Sequence, residues 1–279
     1  MQKKVLIIGY GYVGQKLAEI LLKDNYKVFA IKRQKILNNH EVSTIYSPIE
    51  KLSPEDIPND LTYVFYLLSA TEYSEEAYNF AYKHCLERTY QLIKKQANIK
   101  RFIFCSSTSI YEKVDGSWCD EYSVTNPSAF PGKTMLAAEN FIFSQKLPAV
   151  SVRLSGIYGP NRARIIENVR KNKPSFSDSY TNRIHRDDAA RALYHLMKLK
   201  NPLQVYLATD SYPEKQKNIE MWLASVLNIK LKNIATEDNS KRNKTNKRLR
   251  NKNLLESGFK FNFPNYKKGL LDILSQEDP

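Results

Sequence analysis

The stretch KKVLIIGYGYVG, residues 3–14, decides how the rest of the chain is read. Its apolar run from Val5 to Ile8 ends in glycine, as a strand buried on both faces does. Gly9, Gly11 and Gly14 then form GxGxxG, and they are three of only nine glycines in the chain. YVGQKLAEILLKDN follows, with Val13, Leu17, Ile20 and Leu21 on one helical face. Strand, glycine turn and helix in that order suit a dinucleotide. The first glycine permits the turn, the second lets backbone approach a pyrophosphate, and the third allows helix and strand to pack closely. The helix N-terminus adds amides and a positive dipole end. Gly9, Gly11, Tyr12, Val13 and Gly14 are therefore candidate cofactor contacts.

Outward from this unit the pattern repeats. YKVFAI reads as a second strand, and TYVFYLLSA, KRFIFCSS and LPAVSVRLS as further buried strands. Ser69 and Ala70, at the end of the first of these three, are further candidate cofactor contacts. The segment from Tyr73 to Asn98 is helical in composition, IHRDDAARALYHLMKL is an amphipathic helix, and LQVYLAT a last strand. Strands alternating with helices imply right-handed crossovers and a parallel, doubly wound α/β sheet of Rossmann type. Residues 1–158 are expected to form the nucleotide-binding domain, to which 183–210 returns. Residues 159–279 are expected to form a smaller, mainly helical substrate lobe.

The tip of the second strand bears on the cofactor. An NAD site wants an acid about 20 residues after the glycines, for the ribose 2′-hydroxyl. Lys32 and Arg33 stand there, and no acid occurs between Val28 and His40. Two cations suit a 2′-phosphate, so NADP is expected over NAD.

Composition excludes several classes. Apolar residues make up 42% of the 279, as in an ordinary globular protein. The N-terminal apolar run is too short for a signal peptide, and no stretch approaches the roughly 20 apolar residues of a membrane helix. Cys85, Cys105 and Cys119 show no CxxC spacing and the four histidines are scattered, so reduced thiols, a cytoplasmic location and no metal site are expected. The net charge of +14 is densest in KRNKTNKRLRNK, residues 241–252, with seven Lys or Arg and no acid. No aromatic interleaves with these cations, which speaks against a single-strand nucleic-acid platform, and the stretch reads as a solvated basic loop.

FIFCSSTSIYEK, together with GYGYVG, VRLSGIYGP and IHRDDAARAL, resembles the extended short-chain dehydrogenase/reductase superfamily, which includes sugar-nucleotide epimerases and dehydratases. Ile110, Tyr111 and Glu112 match its VYG-like triplet, and Arg153, Tyr158, Gly159 and Pro160 its RxxxxYGP segment. The ending NKRLRNKNLLESGFKFNFPNYKKGL is similar to a bacterial atypical branch, NAD(P)-dependent epimerase/dehydratase-like. The resemblance implies that Ser107 hydrogen-bonds a substrate oxygen. In NPSAFPGKTMLAAEN, residues 126–140, it implies that Lys133 holds the nicotinamide ribose and lowers a tyrosine pKa. Lys133 shares a helical stripe with Leu136, Ala137, Asn140 and Phe141, and a cation on an apolar stripe fits that role.

The tyrosine itself is absent. Four residues before Lys133 stands Ala129, and the literal YxxxK pairs Tyr90–Lys94 and Tyr194–Lys198 lie outside the required order. Tyr111, Tyr122, Tyr158, Asp120 and Glu121 are the candidate substitutes, though each also reads as packing or surface charge. Asp187 and Asp188 read as caps of the helix that begins there, and His185 as a structural histidine. Arg183 is a candidate for approaching phosphate or substrate, and the resemblance implies that Lys247, Arg248 and Arg250 face an anionic substrate. The resemblance also implies a homodimer through two long helices. The expected function is an NADP-binding oxidoreductase or epimerase-like enzyme acting on a small, anionic, sugar-nucleotide-like substrate. The alternative is a non-catalytic NADP-binding sensor or scaffold, to which Ser47 adds weight by standing where the family carries an acid beside the adenine.

Overall fold

The computed structural model describes residues 2–34, 41–232 and 245–277. The chain opens with β1 (Lys4–Ile8), α1 (Tyr12–Lys23), β2 (Lys27–Lys32), β3 (Ser43–Tyr46) and β4 (Leu61–Tyr66). Then come α2 (Glu75–Asn79), a π-turn (Phe80–His84), α3 (Cys85–Ile93), β5 (Arg101–Ser107), β6 (Trp118–Cys119) and α4 (Phe130–Ser144). β7 (Ala149–Leu154), β8 (Gly156–Tyr158), α5 (Arg164–Arg170), β9 (Tyr180–Thr181), β10 (Arg183–His185), α6 (Arg186–Lys198) and β11 (Val205–Ala208) follow. The last elements are β12 (Glu214–Lys215), α7 (Gln216–Val226), β13 (Arg248–Leu249), α8 (Lys252–Glu256) and α9 (Tyr266–Glu277).

Seven strands form one sheet in the order β3-β2-β1-β4-β5-β7-β11, with every neighbouring pair parallel. The order reverses direction between β1 and β4, where an open α/β sheet places its ligand cleft. Continuous apolar strands are explained by burial on both faces. On one face Val5, Ile7, Phe65 and Ile103 pack under α1 and α6. On the other, Leu6, Ile8, Val64 and Phe104 pack under α3 and α4.

A third core, separate from these, joins Tyr158, Ile166 and Val169 to Leu223 of α7 and Leu270 of α9. The tail does not all belong to it. β13 pairs in parallel with β6, and Leu254 and Phe259 enter the α1–α6 core. TYVFYLLSA is also strand for only part of its length: β4 ends at Tyr66, and Leu67, Leu68 and Ser69 leave the sheet to line a cleft. Among the described residues no helix is long and apolar enough to cross a membrane.

Candidate active site

At the end of β1 the chain must turn under β4. Gly9 does so at φ +100°, and a Cβ there would lie 2.6 Å from the backbone of Leu67 and Leu68. A Cβ on Gly14 would lie 2.6 Å from the carbonyl oxygen of Gly9, so α1 can approach the strand only without one. Around Gly11 nothing lies within 4 Å of such an atom. The N-cap of α1 is Gly11, with no side-chain cap and no acid in the first turn. The first-turn amides and the dipole are therefore available to an anion.

The open side of this loop is a cleft of about 310 Å³, lined by Gly9, Gly11, Lys32, Arg33, Ser47 and Ser69 among others. Its volume lies at the lower end of ordinary ligand pockets. Tyr12, Val13, Gly14 and Ala70 do not line it. Tyr12 points the other way: its hydroxyl donates to the Pro160 carbonyl at 2.8 Å, and the guanidiniums of Arg162 and Arg186 lie 5.5 and 5.1 Å over its ring. It ties the glycine loop to the YGP turn. Val13 packs on the core and Gly14 sets helix–strand spacing. Lys32 bends back to donate to the Tyr10 carbonyl at 3.1 Å.

Sequence reasoning missed Glu50, Phe80 and Cys85, which also line the cleft. Glu50 had a signal, an acid three residues after Ser47. The π-turn that delivers Phe80, and sets the start of α3 at Cys85, had none.

The other end of the site begins at the tip of β5. Ser107 caps the 3-10 turn Thr108–Ile110, its Oγ accepting from the Ser109 amide at 3.1 Å. Ala129 is the N-cap of α4. The apolar stripe assigned to Lys133 is corrected: Lys133, Ala137 and Asn140 are exposed, and Lys133 does not line the cleft. The buried face of α4 is Thr134, Met135, Ala138, Glu139 and Ile142. The i, i+4 spacing was right, but the sheet lies beneath a neighbouring stripe.

The candidate substitutes for the tyrosine are dispersed between separate buried clusters, turns and the surface. Tyr111 is buried and accepts a hydrogen bond from Arg153, which forms a two-pronged pair with Glu139 at 2.9 and 2.6 Å. Burial pushes the Tyr111 phenol up to about 12, against the lowering pull of Arg153. Tyr158 is buried against Gly269 in the third core, and burial raises its phenol further. Glu121 accepts from the Leu207 amide at 2.9 Å, capping the edge of β11, and burial raises its carboxyl. Asp120 closes a turn with Ser123, and Tyr122 is 75% exposed. Tyr194 and Lys198 form a surface cluster on Asp24, and Tyr90 packs edge-on against Phe141.

The cationic candidates are redistributed too. Arg183 is held within the lobe by Thr181 and Gln216, and burial lowers its pKa. Of the basic stretch, 241–244 lie outside the described residues. The rest is not a solvated loop. Arg248 lies 4.9 Å over both Trp118 and Tyr180, and Arg250 4.9 Å over Trp118. The aromatics missing from the stretch itself arrive from elsewhere in the chain. Asn182 bonds the carbonyl of Lys247 and the amide of Leu249 at 2.9 Å each. The helix cap is corrected as well: His185, not either aspartate, caps α6, while Asp188 accepts from the Asn262 and Phe263 amides.

Lys247 is buried, and its ammonium donates to the Tyr111 carbonyl at 2.5 Å. Burial lowers its pKa to about 8 from 10.5. The charged form is the disfavoured one in the fold. The resulting penalty is fully present below pH 8 and disappears as pH rises to about 10.5. Relative to Lys247→Met, the parent is therefore expected to gain about 3 kcal/mol between pH 7 and 10.5. Urea unfolding at both pH values checks this, and a constant difference between the two proteins would rule it out.

Fold and glycine loop together define a dinucleotide-binding protein. The chain belongs to the NAD dependent epimerase/dehydratase family, whose model matches residues 5–207. Among solved structures it is similar to a putative NAD-dependent epimerase/dehydratase from Methylobacillus flagellatus, at 26% identity and TM-score 0.84, with all of both chains covered. It shares its fold with a UDP-N-acetylglucosamine 4-epimerase from Methanobrevibacter ruminantium M1, solved with UDP-N-acetylmuramic acid, at 18% identity and TM-score 0.82, covering 99% of each chain. The Bordetella bronchiseptica enzyme WbmG, solved with NAD and UDP, is similar at 17% identity and TM-score 0.84, with 100% of this chain and 96% of that one covered. The curated proteins gave no match.

Proposed function

We propose that the protein is an NAD(P)-dependent oxidoreductase or epimerase-like enzyme acting on a small anionic substrate of sugar-nucleotide type. The observation that carries this is the open cleft over Gly11, with Gly9 and Gly14 packed too tightly for any side chain. Gly9 and Gly11 would hold the pyrophosphate, Ser69 the adjoining ribose, and Arg33 a 2′-phosphate, which favours NADP. A nicotinamide bound there supplies reversible hydride exchange with a carbinol carbon of the substrate. Ser107 hydrogen-bonds the substrate oxygen, and the lobe built on the third core covers the substrate. That solved relatives of the same fold contain UDP or a UDP-sugar supports the substrate class.

A second reading, binding without turnover, is favoured by one set of facts. Ala129 has no hydroxyl, Tyr111 accepts from Arg153, Glu121 accepts from the Leu207 amide, and Tyr158 is packed into the third core. Ala129→Tyr separates the two readings. With NADP and UDP-sugars, turnover in the parent supports the enzyme. Turnover only in the variant supports the non-catalytic protein. Calorimetry with NADP and NAD tests the common ground, and binding of neither would sink both.

A further inference from the structure

β2 and β3 run side by side, with Lys32 opposite Tyr46. The residues after each strand therefore leave the sheet together, Arg33 from one and Ser47 from the other. A 3-10 turn, Ile49–Lys51, follows β3. Ile49 and Leu52 are buried at 4% each, and the Leu52 carbonyl accepts from Arg88, so the turn is pinned at both ends. Between these anchors Glu50 stands outward, and it lines the same cleft as Arg33. At the back of that cleft lies the Cys85 thiol, which burial pushes up to about 11. The Glu50 carboxylate adds to that rise and the Arg33 guanidinium opposes it, so both charges act on one sulfur.

The acid that an NAD site needs is missing from the tip of β2, yet an acid reaches this cleft from the neighbouring element. We infer that the cleft is built for both cofactors, with Glu50 accepting the ribose 2′-hydroxyl of NAD and Arg33 holding the 2′-phosphate of NADP. A carboxylate takes a hydroxyl proton but repels a phosphate; a guanidinium does the reverse. Each cofactor thus meets one group that favours it, and preference rests on the balance of two residues. This rests on the dinucleotide reading of the cleft and extends it to a specificity determinant.

Calorimetric Kd values for NAD and NADP test it in the parent, Glu50→Gln and Arg33→Gln. Glu50→Gln is expected to weaken NAD by about 3- to 10-fold and tighten NADP by a similar factor, the range of one hydrogen bond or one charge contact. Arg33→Gln is expected to weaken NADP at least about 10-fold and leave NAD within about 2-fold. Both side chains are exposed, and unchanged thermal midpoints would show that the variants fold. The crossed pattern is the signature. Equal shifts of both cofactors in Glu50→Gln would make Glu50 a shared adenosine contact, and no shift would make it a surface acid; either overturns the inference while the cofactor reading stands. A parent that binds neither dinucleotide overturns the cofactor reading and this inference with it.

Discussion

Gly9→Ala is expected to abolish dinucleotide binding, with Kd raised at least about 100-fold, and to cost about 1–3 kcal/mol of stability from backbone strain. The added methyl meets the backbone of Leu67 and Leu68 at 2.6 Å, and φ is +100°. Neither obstacle is a flexible side-chain end, so the turn or the strand end must move, and the displaced residues line the cleft. A control separates folding from binding. A Cβ on Gly11 has no neighbour within 4 Å, so Gly11→Ala should unfold at the parent's temperature while losing NADP and NAD affinity by about 10-fold or more. Calorimetry and thermal unfolding check both variants. Undiminished affinity in Gly11→Ala would remove the cofactor from this loop.

Arg153→Met should lower stability by about 3–5 kcal/mol, the cost of leaving a buried charge without its partner. Glu139 is 1% exposed, and its carboxylate receives Arg153 twice and Ser151 at 2.7 Å. The network also fixes Tyr111, which follows directly on the Ser107 turn. Replacing both members, as Glu139→Leu with Arg153→Met, should recover much of the loss, because a well-packed apolar pair need not be worse than a buried ion pair. Urea midpoints of the single and double variants test this. If the double variant is as unstable as Arg153→Met, an unpaired carboxylate is not the cause.

Much of the fold was legible because its signals are local. Periodicity gave the strands of the parallel sheet and the helices between them, and the glycine spacing placed the cleft at the end of β1. Arg153 was recognised by its motif, but its partner Glu139 was not, since the pair spans two elements. The fate of Lys133 shows the limit. Helical spacing says which residues share a stripe, but not which stripe faces the sheet. That depends on how α4 is rotated against β5 and β7, and the rotation exposes Lys133 while burying Met135. The basic stretch failed for a similar reason. Its arginines look solvated until Trp118 and Tyr180, about 130 and 68 residues away, are folded against Arg248.

The sequence by itself determined the parallel α/β sheet and the glycine cradle. Each of these is written in residues that are neighbours in the chain. Tertiary structure alone decided that Tyr12 clasps the YGP turn, that Lys247 is buried on the Tyr111 carbonyl, and that Glu50 faces the cleft with Arg33. Those contacts join segments far apart in sequence, or separated by a strand and a turn. Their geometry exists only once the sheet register and helix packing are set.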